Sequence, residues 1–123
     1  MVRTLTSEEL RYANLSVEEL ELIVGEYLLT GMSLQAKPRT PRDLRLAAKR
    51  WFKITRSDVA KIICGDPTVK SIVGDGTRDR NALIGAIIDL LQVVIFSSVP
   101  AAALATMIVH YGIDKLCPEF SGH

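Results

Sequence analysis

The fold turns on the stretch ALIGAIIDLLQVVIF (Ala82–Phe96), the break SSVP (Ser97–Pro100) and the continuation AAALATMIVHYGI (Ala101–Ile113). Apolar residues run almost unbroken on both sides of the break. A helix that is apolar nearly all round belongs in a bundle centre, in a membrane or against a partner. Crossing a bilayer takes about 20 predominantly apolar residues. Ala82–Phe96 is shorter, and Asp89 stands near its middle. A central Asp costs about 2.5–3.5 kcal/mol on insertion scales, enough to offset several Leu or Ile residues. Each segment is too short to span, and the two together are too long for one span. They read as a buried helical hairpin. Ser98 can serve the first orphan N–H groups of the second helix, and Pro100 suits an early helical position. No basic region precedes an apolar run at the N-terminus, so a signal peptide has no support there.

Within the first of these helices Gly85, Asp89, Gln92 and Phe96 follow at spacings of four, three and four, and so share one narrow face. That stripe is expected to be the strip of the helix that meets solvent. The alternative is an Asp89 buried and paired with a basic residue of a neighbouring helix. The expected core comprises Leu83, Ile84, Ile87, Ile88, Leu91, Val94, Ile95, Leu104, Ile108 and Trp51.

Working outward, helix signals recur with short breaks. Thr6-Ser7-Glu8-Glu9 opens a brief helix. Ser16 with Glu19 makes a capping box for a helix from Val17 to about Leu29, closed by Gly31. A linker from Met32 to Arg39 follows. Thr40 caps a third helix with Pro41 at its first position. Ser57-Asp58 is expected to begin a fourth, stopped by Gly65-Asp66-Pro67, and Thr68–Val73 allows one or two further turns before Gly74-Asp75-Gly76. Thr77-Arg78-Asp79 leads into the apolar hairpin, whose second arm ends near Leu116. No alternating strand pattern is sustained. The expectation is an all-α, compact bundle of about six or seven helices with a buried C-terminal helical hairpin. The chain of 123 residues is read as one helical domain, long enough to bury a core unaided.

Charge is laid out unevenly. Residues 1–36 hold six Glu against Arg3 and Arg11, whereas residues 37–61 hold nine Lys and Arg against Asp43 and Asp58. On the third helix Arg42, Arg45, Lys49, Lys53 and Arg56 fall at three- and four-residue spacings and form one basic ridge. Leu44, Ala47, Ala48, Trp51 and Phe52 are expected on the opposite, core-facing side. The bland account of such a ridge is a solvated helix face. Five cations in a row with little acid between them repel one another, which favours an anionic partner.

Catalytic and metal signatures are absent from the sequence. Thr106, His110 and Asp114 sit at four-residue spacing, but residues so placed point outward side by side, whereas a nucleophile and its base must converge. A polar stripe is the simpler account. Gly74-Asp75-Gly76 lacks both the spacing and the Lys of a phosphate loop. Cys64 and Cys117 have no CxxC spacing or nearby His pair, so they read as buried small hydrophobes in a reducing, cytoplasmic setting. No cofactor and no metal is expected. Residues 57–73 mimic a helix-turn-helix through Val59-Ala60, Cys64-Gly65, Val69 and Ile72, yet the second half is about one residue short and offers only Lys70 and Ser71 outward.

The resulting expectation is a non-enzymatic helical interaction module. Its contact residues would be Arg42, Arg45, Lys49, Lys53 and Arg56 on the basic helix and Glu18, Glu19, Glu21 and Glu26 on the acidic one. Homotypic assembly, an adaptor role or an inhibitor or immunity-type role would all fit, and head-to-tail association would suit the bipolar charge. The rival is a nucleic-acid binder using residues 41–56 and 57–73. Third comes a membrane-active protein using residues 82–113.

Overall fold

A computed structural model of the chain describes residues 3–29, 40–74, 79–93 and 99–120. Five helices begin where a side chain satisfies an orphan backbone N–H. In α1 (Ser7–Ala13) the Glu9 N–H donates to Thr6 Oγ1 at 3.1 Å, and the Thr6 N–H donates to Glu9 Oε1 at 2.9 Å. Ser16 and Glu19 make the same reciprocal pair at the start of α2 (Val17–Leu29). Thr40 and Asp43 repeat it at α3 (Pro41–Ile63), where Pro41 occupies a position that needs no N–H. Asp66 accepts from Val69 N–H to open α4 (Pro67–Gly74), and Asp79 accepts from Ala82 N–H to open α5 (Arg80–Val93). Then come α6 (Ala101–Tyr111), the short α7 (Ile113–Leu116) and a single 3-10 turn at Pro118–Phe120. Among the described residues there is no strand.

The expected break at Ser57-Asp58 does not occur, and α3 continues through it for 23 residues. The reason is the core stripe. Leu44, Ala48, Phe52, Thr55, Val59 and Ile63 are all buried at three- and four-residue spacings, and that register passes straight across the Ser57-Asp58 position. Ser57 and Asp58 simply face solvent on the far side. A buried stripe outweighs a cap, which contributes only about 1 kcal/mol.

Two antiparallel pairs make the bundle: α2 lies along α3, and α5 lies along α6. Gly25 is what lets the first pair close, since a Cβ there would overlap the Leu44 carbonyl of α3. In the second pair α6 is the more enclosed arm, and every residue from Ala102 to Ile108 is buried. The Thr106 hydroxyl meets its hydrogen-bonding need inside the helix by donating to the Ala102 carbonyl at 2.8 Å. Helices α1 and α2 cover further flanks of α6. Leu83, Ile84, Ile87, Ile88, Leu91, Leu104 and Ile108 are buried as the pattern implies. Trp51 is only half-buried at the edge of the core, and Val94, Ile95 and Phe96 lie outside the described residues. Gly31, the 32–39 linker, Ser98 and Gly76 also lie outside them.

The polar stripe of α5 follows neither of its two expectations alone. Gly85 is buried beneath Leu5 and Arg3 of the N-terminal segment, while Asp89 stays exposed and accepts from Arg3 Nε at 3.0 Å. Arg3 also donates to both carboxylate oxygens of Glu9, at 2.7 and 2.8 Å. Residues 3–6 are thereby strapped across α5. The Arg3 guanidinium, less the opposing effect of burial, pushes the Glu9 carboxyl down to about 2.

Cys64 and Cys117 are not separate buried thiols. They form a disulfide that joins the C-terminal cap of α3 to the residue after α7. The bridge reaches across because Gly112, at φ 114°, lets the chain end α6 and turn into α7. No described helix is long and apolar enough to cross a membrane.

A basic, aromatic-floored cleft as the candidate functional site

The basic ridge does not stand opposite the core. At about 100° per residue, Arg42, Arg45, Lys49, Lys53 and Arg56 lie roughly 90° round α3 from the buried stripe, on its flank. The outer face of α3 carries Leu46, Arg50 and Ile54 instead, with Ile54 70% exposed. Being on a flank brings the ridge beside α2, α6 and α7, and the partners sort its members. Arg45 turns to α2, where its Nε donates to Glu21 Oε1 at 2.9 Å. Glu21 is itself buried and Arg45 half-buried, so this pair closes within the fold and neutralises the Arg45 charge. Arg42, Lys49 and Lys53 remain exposed.

Lys49, Lys53 and Arg56 border a cleft of about 400 Å³. Helix α3 also supplies Phe52 to its floor, and α6 supplies Met107, His110 and Tyr111. From α7 comes Lys115, carried to the cleft because the Cys64–Cys117 bridge holds the end of α7 beside the end of α3. Val17 and Glu21 of α2 complete the wall. Phe52 and Tyr111 meet edge to face with centroids 5.7 Å apart. The Arg56 guanidinium lies 4.6 Å from the Tyr111 ring centroid and 5.8 Å from that of Phe52, and Lys115 Nζ lies 5.7 Å from the Tyr111 ring. Two cations are thus held by ring faces. His110 Nε2–H donates to the Leu15 carbonyl at 3.0 Å, which ties α6 to the turn between α1 and α2, and Arg80 Nη2 stands 3.5 Å from the same nitrogen.

The acidic set is dispersed. Glu21 is inside, Glu19 is engaged with the Ser16 cap, and Glu18 and Glu26 are exposed at other positions of α2. Hydrogen bonds from the Ser16 backbone and side chain hold the Glu19 carboxyl below its usual range. Thr106, His110 and Asp114 form no triad, because Thr106 is buried and bound to its own helix while Asp114 belongs to α7. Along the run 57–73, residues 57–63 are the last turns of α3, residues 64–66 make a turn, and α4 buries Val69, Ile72 and Val73 while leaving Lys70 and Ser71 exposed. Glu119 has a carboxylate oxygen within 4.8 Å of both cysteine sulfurs, but sulfurs joined to each other present no thiolate to a metal.

The basic row was legible as three- and four-residue spacing. The aromatic floor was not, because Tyr111 and Lys115 are more than 50 residues distant from Phe52 in sequence: Tyr111 comes with the packing of α6, and Lys115 through the α6–α7 turn and the disulfide. Compared with protein-family models, with curated proteins and with solved structures, the chain matches none.

Proposed function

We propose that this chain is a non-enzymatic helical interaction module that docks an acidic protein through Arg42, Lys49, Lys53 and Arg56 of α3. One observation carries this reading. These cations form no ion pair among the described residues, whereas Arg45 beside them is neutralised by Glu21. Several aligned surface charges can steer and hold a partner even though single exposed pairs contribute only about 0–1 kcal/mol. A different acidic protein suits the ridge better than a second copy of this chain, since Glu21 and Glu19 are already engaged. The disulfide favours an oxidising compartment over the cytoplasm, because such bridges persist where thiols are not kept reduced.

The test uses the full chain as bait in its oxidised form, after nuclease treatment, beside the Lys49→Glu, Lys53→Glu double variant. Proteins retained by the unaltered chain at low salt, lost at high salt and lost with the reversal support the reading. Retention of the same proteins by the reversed chain would sink it. Recovery of nucleic acid in place of protein, with a steep dependence of affinity on salt, would transfer the ridge to the nucleic-acid class.

A further inference from the structure

We infer that the cleft between α3, α6 and α7 binds a small organic anion: one carboxylate, phosphate or sulfonate group joined to a planar apolar body. This goes beyond the docking of a protein on the ridge and gives the cleft a ligand of its own. Three features of the cleft point the same way. Its size falls where small-molecule sites fall: about 400 Å³ here, within the usual range of about 300–1,000 Å³. Its charge is one-sided. Lys49, Lys53, Arg56 and Lys115 all border it, and its one acid among the described residues, Glu21, is already held by Arg45 at 2.9 Å. Four cations converging on a partly enclosed concavity raise one another's energy, and an anion placed among them relieves that repulsion.

The floor supplies the second half of the specificity. Phe52 and Met107 are buried beneath the cleft, and Tyr111 stands edge to face with Phe52. An apolar plane lying against Val17 and Tyr111, the apolar side chains of the cleft that water still reaches, removes carbon surface from water, while its anionic end reaches the lysines at the rim. Arg56 is already oriented by the Tyr111 ring at 4.6 Å, so its fork loses less freedom on meeting an oxyanion than a solvated arginine would. A ligand that is only charged would leave the floor uncovered, and one that is only apolar would leave the cations opposed. The combination fits both.

The probe is anilinonaphthalene sulfonate, which carries one sulfonate on an aromatic body, titrated by fluorescence into the full oxidised chain. Its neutral counterpart, phenylnaphthylamine, is the companion probe. Saturable binding of one sulfonate probe per chain is expected, with the neutral probe about tenfold weaker or more. The exposed double change Lys49→Ala, Lys53→Ala should weaken the sulfonate probe about tenfold with the thermal unfolding curve unchanged. Arg50→Ala with Lys61→Ala removes the same charge outside the cleft and should change affinity less than about twofold. No saturable binding, equal affinity for the two probes, or equal losses in the two double variants would each overturn the site. Light scattering of the probe-bound chain keeps this separate from protein docking, because one small ligand in the cleft needs no change in mass.

Discussion

Gly25 and Arg3 show how single positions set the geometry of this bundle. A helix-interior glycine ordinarily loses about 1 kcal/mol against alanine, so Gly25→Ala would be expected to stabilise α2 on propensity alone. The added Cβ would instead overlap the Leu44 carbonyl and come within 2.6 Å of its carbon, both backbone atoms that cannot rotate aside. Overpacking of this kind costs about 1–3 kcal/mol or more and wins. Gly25→Ala should therefore lower the denaturation midpoint, and an unchanged or raised midpoint would show that α2 and α3 are not so closely apposed. Arg3 acts through charge. With its guanidinium in place, the Glu9 carboxyl is held at about 2 against an ordinary 4.5, so this contact contributes fully above the ordinary value and is lost as pH falls from there toward 2. Arg3→Met, which keeps the packing stem over Gly85, should cost about 1–2 kcal/mol near neutral pH. Urea unfolding across the acid range should show that difference shrinking toward zero between about pH 4.5 and 2, and a pH-independent difference would assign the loss to packing alone.

Among the elements, α3 is the instructive case, because two kinds of local information compete in it. Thr40-Pro41 and Ser57-Asp58 look alike as helix starts, yet only the first is one. Thr40→Ala should cost about 1 kcal/mol by removing a capping box, whereas Ser57→Ala, on the exposed side of a continuous helix, should be neutral within about 0.5 kcal/mol. Matched thermal melts of the two variants decide the matter, and a cost at Ser57 comparable to that at Thr40 would restore the break. The caps at Thr6, Ser16 and Thr40 were legible because each works within four residues of sequence. So was the α5–α6 hairpin, since Leu83 to Leu91 and Leu104 to Ile108 are apolar on nearly every side. The continuity of α3 was also written in the chain, as the stripe from Leu44 through Phe52 and Val59 to Ile63, but a polar Thr55 inside that stripe masks it. Thr55 is nevertheless 6% exposed, which places it among the core residues. What could not be read was the sorting of the ridge. Whether Arg45 turns to Glu21 or to solvent depends on the crossing of α2 over α3, and no spacing in the sequence encodes that crossing.

Over the whole molecule the decisive link is the bridge between Cys64 and Cys117, 53 residues apart in sequence. It joins the first half of the bundle to the tail that follows the apolar hairpin. The tail's own helix, α7, has four residues, and a helix so short has little stability alone. Ile113, Leu116 and Phe120 bury themselves against the bundle, but they do so at the end of a chain whose path is held by the disulfide. In the chain-entropy account, a closed loop of this size restricts the unfolded state by about 4 kcal/mol, and measured losses on removing native bridges run about 2–5 kcal/mol. Reduction, or the paired change Cys64→Ala with Cys117→Ala, should therefore lower global stability by about 2–4 kcal/mol in denaturant titrations. Since Lys115 reaches the cleft only from α7, the same change should loosen the Lys115–Tyr111 contact before the bundle unfolds. Amide exchange should report this as lost protection from Gly112 to Phe120 with α2, α3 and α6 still protected. Protection that falls evenly over the chain would mean that the bridge stabilises the bundle as one unit and does not shape the cleft.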